Sequence, residues 1–190
     1  DGPTSHVSKR GTPTMGGVVI ILATLAGYFM AHLVTQHGPT VTGMLVLGVT
    51  VGLGAIGFGD DFIKIRKQRS LGLSPRAKFG AQLVVAIGFG VAALHFKNGA
   101  GLTPASTSLS LARDTVITLG AIGFAVWAFL LISGASNAVN LPDGLDGLAS
   151  GTAAMAFAAY VVIAFWQFGN ACTREALNGC YTVRDPLDAA

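Results

Sequence analysis

Charged side chains are scarce in this sequence, where they make up 11% of the 190 residues, less than half of the roughly 25% usual for soluble domains. So few polar side chains argue against a soluble globular domain, whose surface they would have to cover. The hydrophobic share of 52% excludes a disordered chain, which needs low hydrophobicity and high charge. The sequence also lacks a Walker A motif, a dinucleotide-binding fingerprint and a metal-type Cys/His cluster.

The apolar residues are gathered into five long stretches. A helix needs about 20 apolar residues to cross a hydrocarbon core of roughly 30 Å, and the stretches lack the alternation of β-barrel strands. We therefore predict an all-α, polytopic transmembrane helical bundle, with residues 1–190 forming a single integral membrane domain. The predicted spans cover residues 15–34, 41–59, 79–96, 115–132 and 148–168.

The basic residues favour one orientation in the membrane. Five spans place segments 1–14, 60–78 and 133–147 on one side, which carries eight Lys and Arg against four on the other. The positive-inside rule assigns the richer side to the cytoplasm. The basic residues are not interleaved with aromatic residues, so we predict a lipid bilayer and no nucleic acid as partner.

The sequence contains two cysteines, Cys172 and Cys180, and both fall in the tail that this orientation places outside the cell. A disulfide would fit an oxidising compartment. The spacing of the cysteines alone leaves a disulfide and two free thiols equally open.

Acidic residues are also scarce, and their placement is therefore informative. Of nine, only Asp60, Asp61, Asp143 and Asp146 lie at membrane boundaries on the predicted cytoplasmic side. Adjacent carboxylates repel each other, and desolvation at a membrane edge adds to that cost, so we expect a divalent metal or basic residues beside them. Lys64 would share a helical face with Asp61 if the helix continues. Carboxylate and carbonyl oxygens suit Mg²⁺, which usually also binds substrate phosphates.

Each of these features has a simpler explanation when taken alone. The aspartate pair could begin a solvated loop, the Pro-Asp-Gly at 142–144 is a turn signal, and the basic arm at 9–17 could be a membrane anchor. However, a cytoplasmic segment with Asn137, Asn140 and two aspartates but no basic residue departs from the positive-inside rule. Together the cations, carboxylates and glycines predict a site for a phosphorylated substrate and Mg²⁺ at the membrane surface.

Three motifs carry a resemblance to a known family: SKRGTPTMGG at 8–17, DDFIK at 60–64 and NAVNLPDGLDGL at 137–148. They resemble the signatures of the MraY family of phospho-N-acetylmuramoyl-pentapeptide transferases, within the polyprenyl-phosphate N-acetylhexosamine-1-phosphate transferase superfamily. The resemblance implies Mg²⁺-dependent transfer of phospho-MurNAc-pentapeptide from UDP-MurNAc-pentapeptide to undecaprenyl phosphate, giving lipid I and UMP in peptidoglycan synthesis. It also implies a multi-pass protein of the bacterial inner membrane with a cytoplasmic active site, and it allows a homodimer.

The resemblance implies roles for individual residues. Asp60, Asp61 and Asp143 would be catalytic, with one of the paired aspartates acting on the lipid phosphate as a base or a nucleophile. Asn140 would be a Mg²⁺ ligand. The predicted substrate contacts are Lys9, Thr14, Lys64 and Arg76, together with the uridine-contacting loop of Gly144, Leu145 and Asp146.

The sequence matches only part of the family pattern, about helices two to six. The family's first helix and its C-terminal part, with a third catalytic aspartate, have no counterpart here. We therefore expect an incomplete transferase domain, inactive or partial when isolated. Three alternatives are a GlcNAc-1-phosphate transferase of the same superfamily, a cation transporter and a purely structural membrane subunit. The transporter is disfavoured because intramembrane ion sites normally lie near the midplane.

Overall fold

The computed structural model of this chain describes residues 16–68, 71–99, 101–110, 114–140, 147–172 and 180. Within these ranges the chain forms five α-helices and one β-hairpin. The elements are α1 (Gly16–Thr35), α2 (Val41–Lys67), α3 (Pro75–His95), β1 (Ser108–Ser110), β2 (Asp114–Thr118), α4 (Gly120–Asn140) and α5 (Leu148–Gly169). All five helices are long and apolar enough to cross a membrane. The predicted all-α architecture with five spans is confirmed.

Helix α2 is longer than predicted, because it continues past residue 59 to Lys67. Its 27 residues span about 40 Å at a rise of 1.5 Å per residue, which exceeds a hydrocarbon core of roughly 30 Å. Lys64, Arg66 and Lys67 occupy the last turn, where the helix dipole favours positive charge. Gln68 then adopts a left-handed conformation with φ of 47° and ends the helix.

Helix α3 begins at Pro75 rather than at residue 79. The Ser74 hydroxyl accepts a hydrogen bond from the backbone N–H of Ala77 at 3.3 Å, and proline follows in the first turn. Serine before the helix and proline at its first position are both favourable. The helix therefore starts within the polar segment that precedes the apolar stretch.

Helix α4 is displaced along the sequence, since it covers Gly120–Asn140 instead of 115–132. Residues 115–118 are β-branched, which favours a strand, and they belong to β2. This strand pairs antiparallel with β1, with Ser108 opposite Thr118. Gly120, with φ of 68°, makes the turn into α4 in a conformation that glycine adopts without strain. At the other end, the segment 133–140 is helical.

Helices α1 and α2 pack antiparallel. Ile21, near the start of α1, contacts Gly54 in the second half of α2. Tyr28, further along α1, accepts a hydrogen bond through its hydroxyl from the backbone N–H of Thr40, directly before α2, at 3.3 Å. The start of α1 and the end of α2 therefore lie at the same end of the bundle.

Small residues bring α2, α3 and α4 close together. A Cβ on Gly52 of α2 would lie 3.0 Å from the Val85 side chain of α3, and a Cβ on Gly90 of α3 would lie 3.6 Å from the Ala125 Cα of α4. Such residues permit close approach of membrane helices. These three helices also alternate in direction, so α3 begins and α4 ends where α2 ends.

Much of the apolar surface is unburied, as expected for helices that face lipid. Neither α1 nor α5 contains a buried residue. In the described part of the chain the buried hydrophobic residues are Leu47, Ala86, Ala93, Ala128 and Ala171. Soluble monomers rarely expose apolar area of this extent, so the exposure supports a multi-pass membrane protein.

Beyond α5, Cys172 and Cys180 form a disulfide with a Cα–Cα distance of 4.9 Å. The structure thus selects the disulfide from the two alternatives that the sequence leaves open.

Candidate active site

The carboxylate of Asp60 is held from two directions. Its Oδ2 lies 2.6 Å from Lys64 Nζ, one helical turn further along α2. Its Oδ1 accepts a hydrogen bond from the backbone N–H of Leu73 at 2.7 Å. The connection to α3 approaches so closely that a Cβ on Gly72 would lie 2.6 Å from Asp60 Cγ. With its side chain 16% exposed, Asp60 ties the end of α2 to the chain that leads into α3.

The neighbouring Asp61 has a different environment. Its side chain is 46% exposed, and its Oδ1 lies 3.1 Å from Lys64 Nζ. Its Oδ2 has no partner among the described residues. Because α2 continues, Lys64 reaches the Asp61 carboxylate, as the sequence spacing predicts. It also reaches Asp60, and its charge offsets the mutual repulsion of the pair. The pair therefore consists of one constrained carboxylate and one that remains accessible.

Polar side chains also join α3 to the last turns of α4. Asn137 Nδ2 donates to Gln82 Oε1 at 3.3 Å, and Gln82 Nε2 donates to Ser136 Oγ at 3.2 Å. Gln82 is 1% exposed. Gln82 is not among the residues predicted from the sequence, although a polar side chain within an apolar span is a recognised signal of function.

The other predicted site residues are placed only in part. Arg76 is exposed in the first turn of α3, and the described contacts do not join it to Asp60 or Asp61. Asn140 is the last residue of α4. Six residues lie outside the described ranges, so their predicted roles stay predictions: Lys9, Thr14, Asp143, Gly144, Leu145 and Asp146.

Comparison with known proteins identifies the family. Residues 41–180, which include the aspartate pair and the segment 137–148, match the family described as Glycosyl transferase family 4. The chain belongs to glycosyl transferase family 4. Residues 9–21 additionally match phospho-N-acetylmuramoyl-pentapeptide-transferase signature 1. These matches confirm the family resemblance inferred from the three motifs.

Curated relatives of this glycosyl transferase family 4 member come from several bacteria. A Frankia alni protein is 64% identical over all of this chain and 54% of its own length. A Saccharopolyspora erythraea protein is 60% identical over 98% of this chain and 53% of its own length, and a Streptomyces avermitilis protein is 53% identical over all of this chain and 54% of its own length. All three are named phospho-N-acetylmuramoyl-pentapeptide-transferase. The chain spans about half the length of these relatives.

The donor chemistry at the end of α2 fits a magnesium ion bound together with a substrate. Mg²⁺ is usually held by one or two carboxylates plus substrate phosphates, and Asp61 offers one oxygen that no described residue engages. Within the described ranges no three His, Cys, Asp or Glu residues come together as a metal site. In this glycosyl transferase family 4 chain, further oxygens would have to come from the substrate or from residues outside those ranges.

Proposed function

We propose that this chain carries part of the active site of a membrane transferase that moves phospho-MurNAc-pentapeptide from UDP-MurNAc-pentapeptide to undecaprenyl phosphate. The products would be lipid I and UMP. The observation that carries the proposal is the signature at residues 9–21, in a chain that is 53–64% identical to relatives of that name over nearly its whole length. The geometry supports it, because this signature leads into α1 at the end of the bundle where α2 presents Asp61 and Lys64.

The proposed reaction requires positive charge beside a phosphorus atom. A phosphate oxygen of the lipid bonds to the phosphorus that carries the sugar, and the bond from that phosphorus to the UMP oxygen breaks, so UMP leaves with the electron pair. Lys64, with its side chain 38% exposed, would stabilise the charge on the departing phosphate. Lys9 and Arg76 are further cations for the same diphosphate.

The two adjacent aspartates would then have separate tasks. Both oxygens of Asp60 are engaged, by Lys64 and by the Leu73 N–H, so Asp60 holds Lys64 and the connection to α3 in place. Asp61 keeps one oxygen accessible and would act in one of two ways. As a base it would take the proton from the lipid phosphate for the direct displacement; as a nucleophile it would bond to the sugar-bearing phosphorus as UMP leaves, and the lipid phosphate would then displace Asp61. Asp143 supplies another carboxylate, and residues 144–146 contact the uridine.

Asp61 and Asn140 would hold Mg²⁺, which neutralises charge on the diphosphate when bound. Asn140 ends α4 at the same end of the bundle as Asp61, which supports this pairing.

The proposed site faces the cytoplasm of a bacterial cell, at its inner membrane. Eight of the twelve Lys and Arg belong to segments on that side. Only seven residues separate α4 from α5, too few to recross a bilayer, which takes a helix of about 20. Helix α5 therefore ends on the opposite side, where the Cys172–Cys180 disulfide fits an oxidising compartment. A homodimer remains a prediction from the resemblance.

A chimera tests the proposed reaction. Residues 1–190 would replace the matching segment of the Frankia alni relative, and release of UMP together with lipid-linked product would be measured in membranes. We expect transfer from UDP-MurNAc-pentapeptide and none from UDP-GlcNAc. The unmodified relative is the positive control, and the chimera with Asp61→Asn is the negative one.

Two results would contradict this proposal. Use of UDP-GlcNAc alone would favour the GlcNAc-1-phosphate transferase. A chimera that inserts and elutes as a monodisperse species but catalyses transfer from neither donor would refute the assignment.

The alternative of a cation transporter receives no support from α2. This helix runs unbroken through its apolar stretch and carries its aspartates near the helix end, unlike ion sites at the membrane midplane.

A further inference from the structure

The buried amide of Gln82 connects two helix ends that the proposed function uses. Gln82 lies seven residues after Pro75, about 10 Å along α3, and its bond to Asn137 meets α4 three residues before that helix ends. The predicted phosphate contact Arg76 lies in the first turn of α3, and the predicted ligand Asn140 lies in the last turn of α4. The Gln82 contacts therefore lie just inside the bundle end that would receive the substrate.

The other contacts between these helices are apolar and less directional. Phe79 of α3 lies edge-on to Phe129 of α4, with ring centroids 4.9 Å apart, and Gly90 of α3 lies against Ala125 of α4. A hydrogen bond, in contrast, weakens steeply with small changes of distance and angle. Gln82 makes one bond as donor and one as acceptor to consecutive residues, Ser136 and Asn137. This combination is satisfied at one height of α4 against α3.

We propose that Gln82 is a positioning residue, which fixes the height of α4 against α3 through Ser136 and Asn137 and thereby sets the distance between Arg76 and Asn140. This inference rests on the proposed function for its catalytic consequence. The nucleotide-linked substrate would bridge the two helix ends through its diphosphate, so its affinity depends on that distance. The helix register itself is a property of the chain alone.

The same interface offers a matched control in Ser133. This residue lies one helical turn before Asn137, it is also buried, and its hydroxyl has no hydrogen-bond partner among the described residues. Ser133→Ala therefore removes a buried polar atom from α4 without breaking a contact to Gln82. A variant that loses those contacts and one that does not can be compared at the same interface.

The register can be measured without any activity. Two spin labels would report the separation of the helix ends in the 190-residue chain in nanodiscs. One is attached at Ala77→Cys, exposed in the first turn of α3, and the other at Val139→Cys, 56% exposed at the end of α4. The native cysteines are disulfide-bonded and do not react with the label. We expect Gln82→Leu to shift or broaden the distance distribution, Ser136→Ala to do so less, and Ser133→Ala to leave it unchanged.

The consequence for transfer is measured in the chimera. We expect Gln82→Leu to raise KM for the nucleotide-linked donor roughly tenfold, since a misplacement of about 1 Å can cost up to about a hundredfold. Partial unfolding would lower the maximal rate without changing KM, and it is therefore distinguished from mispositioning. Ser133→Ala should leave KM unchanged.

Each result decides the question. An unchanged distance in Gln82→Leu, or an equal change in Ser133→Ala, would overturn the proposal, and so would a changed distance with an unchanged KM in an active chimera. If Gln82→Leu fails to insert, Ser136→Ala carries the same decision. If the unsubstituted chimera transfers nothing, the proposed function fails, and the distance measurement alone decides whether Gln82 sets the register.

Discussion

Replacing Lys64 with glutamine should show how much the positive charge at the end of α2 contributes to catalysis and how much it contributes to stability. Lys64 Nζ lies 2.6 Å from Asp60 Oδ2 and 3.1 Å from Asp61 Oδ1. Glutamine preserves the helix and much of the length of the side chain but removes the charge. In the proposed reaction that charge faces the departing phosphate. Removing one such electrostatic contact typically costs about 3 kcal/mol in the transition state, or roughly 100-fold in kcat.

The effect on stability should be far smaller. The Asp60 side chain is 16% exposed and that of Asp61 is 46% exposed, but the Lys64 side chain that joins both is itself 38% exposed. Solvent therefore reaches both ion pairs, and such pairs contribute about 1 kcal/mol or less. For a chain of this size such a loss shifts Tm by about 2–4 °C. Lys64→Gln should therefore change the activation free energy of transfer much more than the free energy of unfolding, because charge develops on the departing phosphate only in the transition state.

The assay is steady-state transfer by the chimera, with thermal unfolding measured on the same purified samples. Lys67→Gln is the matched control, because Lys67 also lies in the last turn of α2 and makes no ion pair within the described residues. It should keep kcat within about twofold. A Lys64→Gln variant that stays within threefold of the unsubstituted kcat, or that loses activity only in proportion to folded protein, would refute the reasoning.

Three further perturbations test other parts of the structure. Gly72→Ala places a Cβ 2.6 Å from Asp60 Cγ and 2.8 Å from the Asp60 carbonyl oxygen, so it should lower the free energy of unfolding by about 1–3 kcal/mol. Gly57→Ala has open space around it and should leave the free energy of unfolding unchanged. Equal stability of the two variants would contradict the close approach. Asp61→Asn should lower kcat at least 100-fold with little change in Tm, and a Tm loss large enough to explain the inactivity would assign Asp61 a structural role. Because Cys172 and Cys180 are disulfide-bonded, a membrane-impermeant maleimide should label them from outside the cell only after reduction, and labelling without reduction would argue against the bond.

Composition was sufficient to predict the helical membrane architecture, but it did not determine where each helix ends. The apolar pattern stops at residue 59, whereas α2 continues to Lys67 because an ion pair one turn apart and a left-handed Gln68 stabilise and end it. In the same way, Ser74 starts α3 before its apolar stretch. Hydropathy reports the membrane-embedded part of a helix, and capping interactions decide how far the helix extends into water.

In the candidate site, too, contacts within one helical turn could be predicted from the sequence, whereas contacts between distant residues could not. The spacing of Asp61 and Lys64 was enough to predict their contact, since it depends on one turn of helix. The contact of Gln82 with Asn137 joins residues 55 positions apart, and it follows from the packing of α3 on α4, which no local pattern encodes. The unequal environments of Asp60 and Asp61 also come from a distant partner, the Leu73 N–H 13 positions further along.

Because α2 continues past its apolar stretch, its length would set the height of the proposed reaction above the hydrocarbon. Asp60 and Asp61 directly follow the apolar stretch 41–59 within the same helix, so their height above the hydrocarbon is set by helical rise rather than by a loop. A polyprenyl phosphate could present its headgroup to Asp61 while its chain stays in the bilayer, and the water-soluble donor would come to the same plane. Each residue inserted within 41–59 would move these carboxylates by about 1.5 Å and rotate them by about 100°. The length of one membrane helix would thus match the enzyme to the thickness of its membrane.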